Sequence, residues 1–131
     1  MTSERDLETL LATLEVSVKD GRWAYETHAK GTWTGAKQVP NPAMIFQEQE
    51  GTTVIVPADK STRKDNRWVW LELSVYSDLH AVGFLAAIAA ALAAVDVPCN
   101  AVAGFHHDHI FVPESKADVA IQALSALSGA S

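Results

Sequence analysis

The sequence predicts an α+β fold, an antiparallel sheet with helices on one face. Three observations carry that expectation. Side chains alternate with the period of a strand at residues 22–28, 52–57 and 68–76. Large apolar residues recur about one helical turn apart at 81–95 and again after Pro113. From Trp68 onward the elements therefore run strand, helix, strand, strand, helix.

In order, Ser3 or Asp6 can cap a first helix, in which Leu7, Leu10, Leu11 and Leu14 share one face. A short strand at 16–18 precedes the turn Asp20-Gly21. The next strand carries Trp23, Tyr25 and Thr27 on one side, as sheet cover or as a stacking surface for a ligand. Gly31, Gly35, Pro40 and Pro42 mark a loop whose Trp33 docks onto the surface. A hairpin follows at 43–49 and 52–57, its turn at Glu50-Gly51 using a glycine that can take a positive φ. The polar stretch 59–66 is the natural linker, which divides the chain into halves at 1–66 and 67–131.

The strand at 68–76 places Leu71, Leu73 and Val75 on one face and Trp68, Trp70, Glu72, Ser74 and Tyr76 on the other. Glu72 between aromatic and polar neighbours marks a face that is not wholly core. Ser77 or Asp78 is the expected N-cap of a helix whose large residues are Val82, Leu85, Ile88, Leu92 and Val95. Its other sides hold Ala86, Ala87, Ala90, Ala91 and Ala94, small enough for close packing against a helix or a sister subunit. A strand at 100–105, a turn at His107-Asp108 and a strand at 109–112 lead to a last helix with Val119, Ile121, Leu124 and Leu127 inward. Gly104 implies a bulge or a close backbone approach. This order is most of a ferredoxin-like unit, and the first half offers pieces of an abbreviated second copy.

Composition narrows the function. The 131 residues suit one compact domain or two very small ones, and 48% hydrophobic with 20% charged residues is globular. A net charge of −6 argues against nucleic acid as a partner, and the basic run Lys60-Ser61-Thr62-Arg63-Lys64 reads as a solvated loop. The segment 81–97 is short of the roughly 20 apolar residues of a membrane span. The polar N-terminus is unlike a signal peptide, and the single Cys99 forms no intrachain bridge, which favours a cytoplasmic setting. Cys99 itself reads as a small buried residue rather than a nucleophile.

The second half resembles the ACT-domain family of small regulatory modules, and in particular short stand-alone proteins with two ACT-like halves. The resemblance rests on Trp70-Leu71-Glu72-Leu73-Ser74-Val75-Tyr76-Ser77-Asp78-Leu79-His80-Ala81-Val82-Gly83-Phe84 and on Cys99-Asn100-Ala101-Val102-Ala103-Gly104-Phe105-His106-His107-Asp108-His109-Ile110-Phe111-Val112-Pro113. The hairpin at 45–57 is similar to the matching part of a first half. The resemblance implies a βαββαβ fold, homo-oligomeric assembly through sheet edges or helices, and an amino acid or similar small metabolite as ligand. It implies a site at the loop after the strand, against a neighbouring module: Ser77, Asp78, Leu79, His80, Val82 and Gly83, with Asn100 and Val102. Free N–H groups at a helix start suit a carboxylate, Gly83 leaves room for approach, and Asp78 can meet an ammonium group. Ser77 and Asp78 serve equally well as helix caps.

His106, His107, Asp108 and His109 invite a metal reading, yet a tight hairpin splays adjacent side chains. Hairpin architecture is the preferred reading, with no metal and no cofactor. A phosphate-binding glycine loop, a nucleophile elbow and a Cys–His pairing are all missing from the sequence, so no enzyme is expected. The sequence thus predicts a small-molecule sensor, with a protein-interaction module as the alternative and a metal-binding protein behind both.

Overall fold

The computed structural model describes residues 7–33, 41–75 and 82–128. The chain forms two compact units, one made of Met1–Asp20 with Val69–Ser131 and the other of Gly21–Trp68.

The first unit contains α1 (Leu7–Ala12), β1 (Glu15–Val18), β5 (Trp68–Ser74, from Val69 onward), α2 (Phe84–Ala93), β6 (Asn100–Ala103), β7 (Asp108–Pro113) and α3 (Ala117–Leu127). Its strands lie in the order β1-β5-β7-β6. β1 runs antiparallel to β5 with Val16 opposite Leu73, and β6 antiparallel to β7 with Ala101 opposite Ile110. Alternation in β5 buries Val69, Leu71 and Leu73 and leaves Trp68, Trp70, Glu72 and Ser74 half-buried, as the period of the sequence requires. The buried face meets Leu10 of α1 and Leu14 just after it, Phe84, Ile88 and Leu92 of α2, and Ala120 and Leu124 of α3. The three described α-helices thus share one side of this unit's strands. The first helix and strand, expected in the N-terminal half, pack with the C-terminal one.

Helix α2 starts later than its periodicity implied, at Phe84, and the N-cap is Gly83 with φ 89°. The expected caps, Ser77 and Asp78, lie outside the described residues, and a left-handed backbone at Gly83 turns the chain directly into the first helical turn. The shift rotates the apolar side as well: Phe84 is core, whereas Val82 is 83% exposed and Val95 40%. The helix ends in a double closure, Asp96 N–H to the Ala93 carbonyl and Val97 N–H to the Leu92 carbonyl. Asp96 holds the left-handed position at φ 61°. In α3, Ala120 rather than Val119 faces the core.

The hairpin between β6 and β7 turns earlier than expected. Gly104 N–H donates to the His107 carbonyl at 2.9 Å, so Phe105 and His106 form the tip and Asp108 is already in the strand, opposite Ala103. A Cβ on Gly104 would sit 2.8 Å from the His107 oxygen, which is the close approach the sequence implied. Phe105 consequently lies outside the strand and is 82% exposed.

The second unit contains β2 (Trp23–Ala29), β3 (Met44–Gln47) and β4 (Gly51–Pro57), an antiparallel set with β4 in the middle. Trp23 also pairs with Trp68. Thr52, Val54, Ile55 and Val56 are buried. Gly51 is needed for a different reason from the one its turn implied. It lies in the strand opposite Ala29, and a Cβ there would be 2.4 Å from the His28 carbonyl oxygen. The stretch expected as a linker is pinned: Asp59 accepts from the Ser61 N–H and hydroxyl, and Asn66 binds the Tyr25 backbone. Tyr25 packs edge-on to Trp68, and Trp33 lies against His28 with ring centroids 4.9 Å apart.

Candidate functional site

Of the expected ligand set, Val82, Gly83, Asn100 and Val102 are among the described residues. Tyr76 to Ala81, and with them Ser77, Asp78, Leu79 and His80, lie outside the described residues. Val82 and Gly83 stand at the start of α2, Val82 projecting into solvent. The nearest atom to a Cβ built on Gly83 is Leu7 Cδ2 at 3.7 Å, so the glycine answers to its positive φ and not to crowding.

Asn100 and Val102 are placed elsewhere. Asn100 pairs with Phe111 and Val102 with His109, and paired residues of an antiparallel ladder share a face. Ile110 and Val112, the alternate residues of β7, point into the core beneath the helices. Asn100 and Val102 therefore occupy the sheet face away from α2, and Gly83 and Val82 do not share it.

That second face holds a cluster of interacting polar and aromatic groups. Trp70 Nε1–H donates to His109 Nδ1 at 2.9 Å, and the same indole packs on Phe111 with centroids 5.6 Å apart. Lys19 Nζ lies 3.2 Å from the Glu72 carboxylate and 5.7 Å from the Trp70 ring centroid, a cation–π distance. The Lys19 N–H also donates to the Trp70 carbonyl, which continues the β1–β5 ladder and fixes where the ammonium begins. Burial pushes the His109 imidazole below its ordinary value against the attraction of Glu72, and His107 and Lys19 push the same way.

The sequence signalled half of this cluster. Glu72 between Trp70 and Ser74 marked the face, but Lys19 had no such mark. Its signal was the same alternation carried from Ser17 past the end of β1, since Ser17 is opposite Glu72. His109 belongs to the cluster through Trp70 and not through its neighbours. His106 instead meets Phe105 edge-on, and the His107 and His109 ring centroids are 6.4 Å apart. Among the described residues no three His, Cys, Asp or Glu side chains converge as a metal ion requires. Cys99 packs beside the core, and burial pushes its thiol up from the ordinary value. No described helix is long and apolar enough to cross a membrane.

Comparison with known proteins supplies the family. Residues 2–67 match one model of the ACT domain and residues 67–126 match another. A Vibrio cholerae protein of unknown function, described as a possible transport protein, is 32% identical over 93% of this chain and 95% of its own, with a TM-score of 0.79. An Agrobacterium tumefaciens protein shares the fold at TM-score 0.72 with 11% identity, over 88% of this chain and 89% of its own. So does a putative C-terminal regulatory domain of aspartate kinase from Porphyromonas gingivalis, at TM-score 0.58 with 18% identity, over 88% and 96%. No curated protein matches the sequence. The two family matches meet at residue 67, whereas the packing gives the first twenty residues to the C-terminal unit. With both halves matched in tandem and 32% identity to a solved relative over 93% of its length, the chain belongs to the ACT-domain family.

Proposed function

We propose that the chain is a regulatory module that senses a small molecule of the amino-acid class, bound at the corner from Ser77 through Asp78, Leu79 and His80 to Val82 and Gly83. The observation that carries this reading is the start of α2. Gly83 has no side chain to satisfy the first-turn N–H groups or to obstruct them, and the positive end of a ten-residue helix suits a carboxylate. Asp78 supplies the anion for the ammonium group. Family membership and the fold shared with a putative aspartate kinase regulatory domain support a regulatory rather than catalytic role.

Asn100 and Val102 enter this reading through assembly. In a homo-oligomer the corner of one copy can meet the opposite sheet face of another, which reunites the two parts of the ligand set. On the same reading the protein works in the cytoplasm and needs no cofactor.

The test is thermal denaturation of the full chain with each of the twenty amino acids, with nucleosides and with divalent metals. A ligand at 100 times its Kd adds about 2.7 kcal/mol to stability. One amino acid should raise Tm, and Asp78→Ala and Gly83→Val should each remove the rise. If no amino acid moves Tm, the reading fails.

A second reading, a protein-interaction module, is supported by the surface of α2. Ala86, Ala89, Ala90 and Ala93 line its exposed side without a single charge. A partner that co-purifies with a chain blind to all small molecules would favour it.

A further inference from the structure

The tie between Trp70 and His109 fixes a protonation state. An indole N–H can only donate, so the 2.9 Å contact makes Nδ1 of His109 the acceptor and leaves the single ring proton on Nε2. An imidazolium carries a proton on both nitrogens and accepts from neither. Protonation of His109 and its bond to Trp70 therefore exclude each other.

We propose that His109 is a proton-operated latch on the sheet face away from the helices: neutral, it fastens β7 to β5 through Trp70, and protonated, it releases the indole and draws the Glu72 carboxylate away from Lys19. The charge inventory around the ring makes the exchange specific. Glu72 on β5 and Asp108 on β7 favour the imidazolium, while Lys19 after β1 and His107 at the hairpin oppose it. From β6 the residue opposite His109 is Val102, which carries no charge. Lys19 is held between the Glu72 carboxylate and the Trp70 ring, so both of its partners change when the latch opens. One proton thus rearranges side chains on β5, on β7 and just past the end of β1 together. Because burial favours the neutral ring, the latch opens below pH 6.5, the ordinary value of the group.

The experiment is an NMR titration of the full chain from pH 8 to 5, with the histidine and tryptophan nitrogens labelled. At pH 8 His109 should show the Nε2–H tautomer. Its ring nitrogens and the Trp70 indole N–H should then move with one shared midpoint below 6.5. In His109→Gln the amide oxygen still accepts from the indole, and the Trp70 signal should lose its pH dependence. In Trp70→Phe the His109 midpoint should rise, because the neutral ring has lost the bond that favoured it. An Nδ1–H tautomer at pH 8, a Trp70 signal that ignores His109, or an unmoved midpoint in Trp70→Phe would each overturn the proposal.

Discussion

Asn66 binds Tyr25 as though it were another strand. Its Oδ1 accepts the Tyr25 N–H at 3.0 Å and its Nδ2 donates to the Tyr25 carbonyl at 2.9 Å, across 41 residues of sequence. The same Oδ1 takes the Trp68 indole N–H at 3.1 Å. One side chain extends the edge of β2 beyond the Trp23–Trp68 pair. Asn66→Ala leaves those half-buried groups without this partner and should cost about 2–4 kcal/mol in urea denaturation. Asn66→Asp keeps the acceptor but sets a carboxylate against the Tyr25 carbonyl, so it should destabilise as well.

Two glycines should separate crowding from backbone preference. Gly51→Ala forces a methyl group against the His28 carbonyl, where ladder atoms must move, and about 3 kcal/mol or more of stability should be lost. Gly21→Ala meets nothing within 4 Å but has φ +83°, and should lose only about 1–2 kcal/mol. Equal losses in paired denaturation curves would refute the distinction.

Asp96 closes α2 at a position where glycine is the better residue. It places a negative charge at the C-terminal, negative end of the helix, and its exposed contact to Lys116 at 3.4 Å gives little in return. Lys116 also donates to the Asp96 backbone carbonyl, which a substitution leaves in place. Asp96→Gly should raise stability by roughly 0.5–1 kcal/mol, measured by the shift in Tm. Asp96→Asn, removing only the charge, should fall between.

His109 makes stability depend on pH with a definite sign. Its folded value lies below 6.5, so between the two values the unfolded chain binds more protons. Its contribution is fully present above pH 6.5, declines as pH falls through that value, and levels off below the folded one. Denaturation midpoints from pH 8 to 5 should follow that curve in the native chain. His109→Gln should remove this component of it.

Leu10 is wholly buried in the core of the unit that also holds α3. Leu10→Ala should cost about 2–5 kcal/mol. Hydrogen exchange would locate the loss: amides of β7 and α3, near the other end of the chain, should lose protection.

Much of this was legible because burial and period coincide. Every second residue of β5 is buried, and Leu71 and Leu73 could be assigned to the core from alternation alone. The misassignments came from single turns that shift a phase. Gly83 delays α2 and brings Phe84 inward in place of Val82, and a turn two residues earlier moves Asp108 into β7. Neither is written in apolar spacing, since a left-handed glycine and a close backbone approach leave no hydrophobic signature. The expected residues Asn100 and Val102 fell away from Val82 and Gly83 for a related reason. Asn100 and Val102 lie close to the helix in sequence, but strand parity set them on the other face. Lys19 and His109, 90 positions apart by number, needed the ladder to bring them together.

The exchange of the first twenty residues bears on how the protein is made. On a ribosome, α1 and β1 emerge while their partners in β5, α2 and α3 are still unsynthesised. At roughly 5–20 residues per second the amphipathic segment that holds α1 waits for seconds with its leucines uncovered. The intervening unit can close meanwhile, since all of its strands come from one continuous stretch. Folding therefore runs from inside this sequence outward, and α1 and β1 find their partners only after the intervening unit has closed.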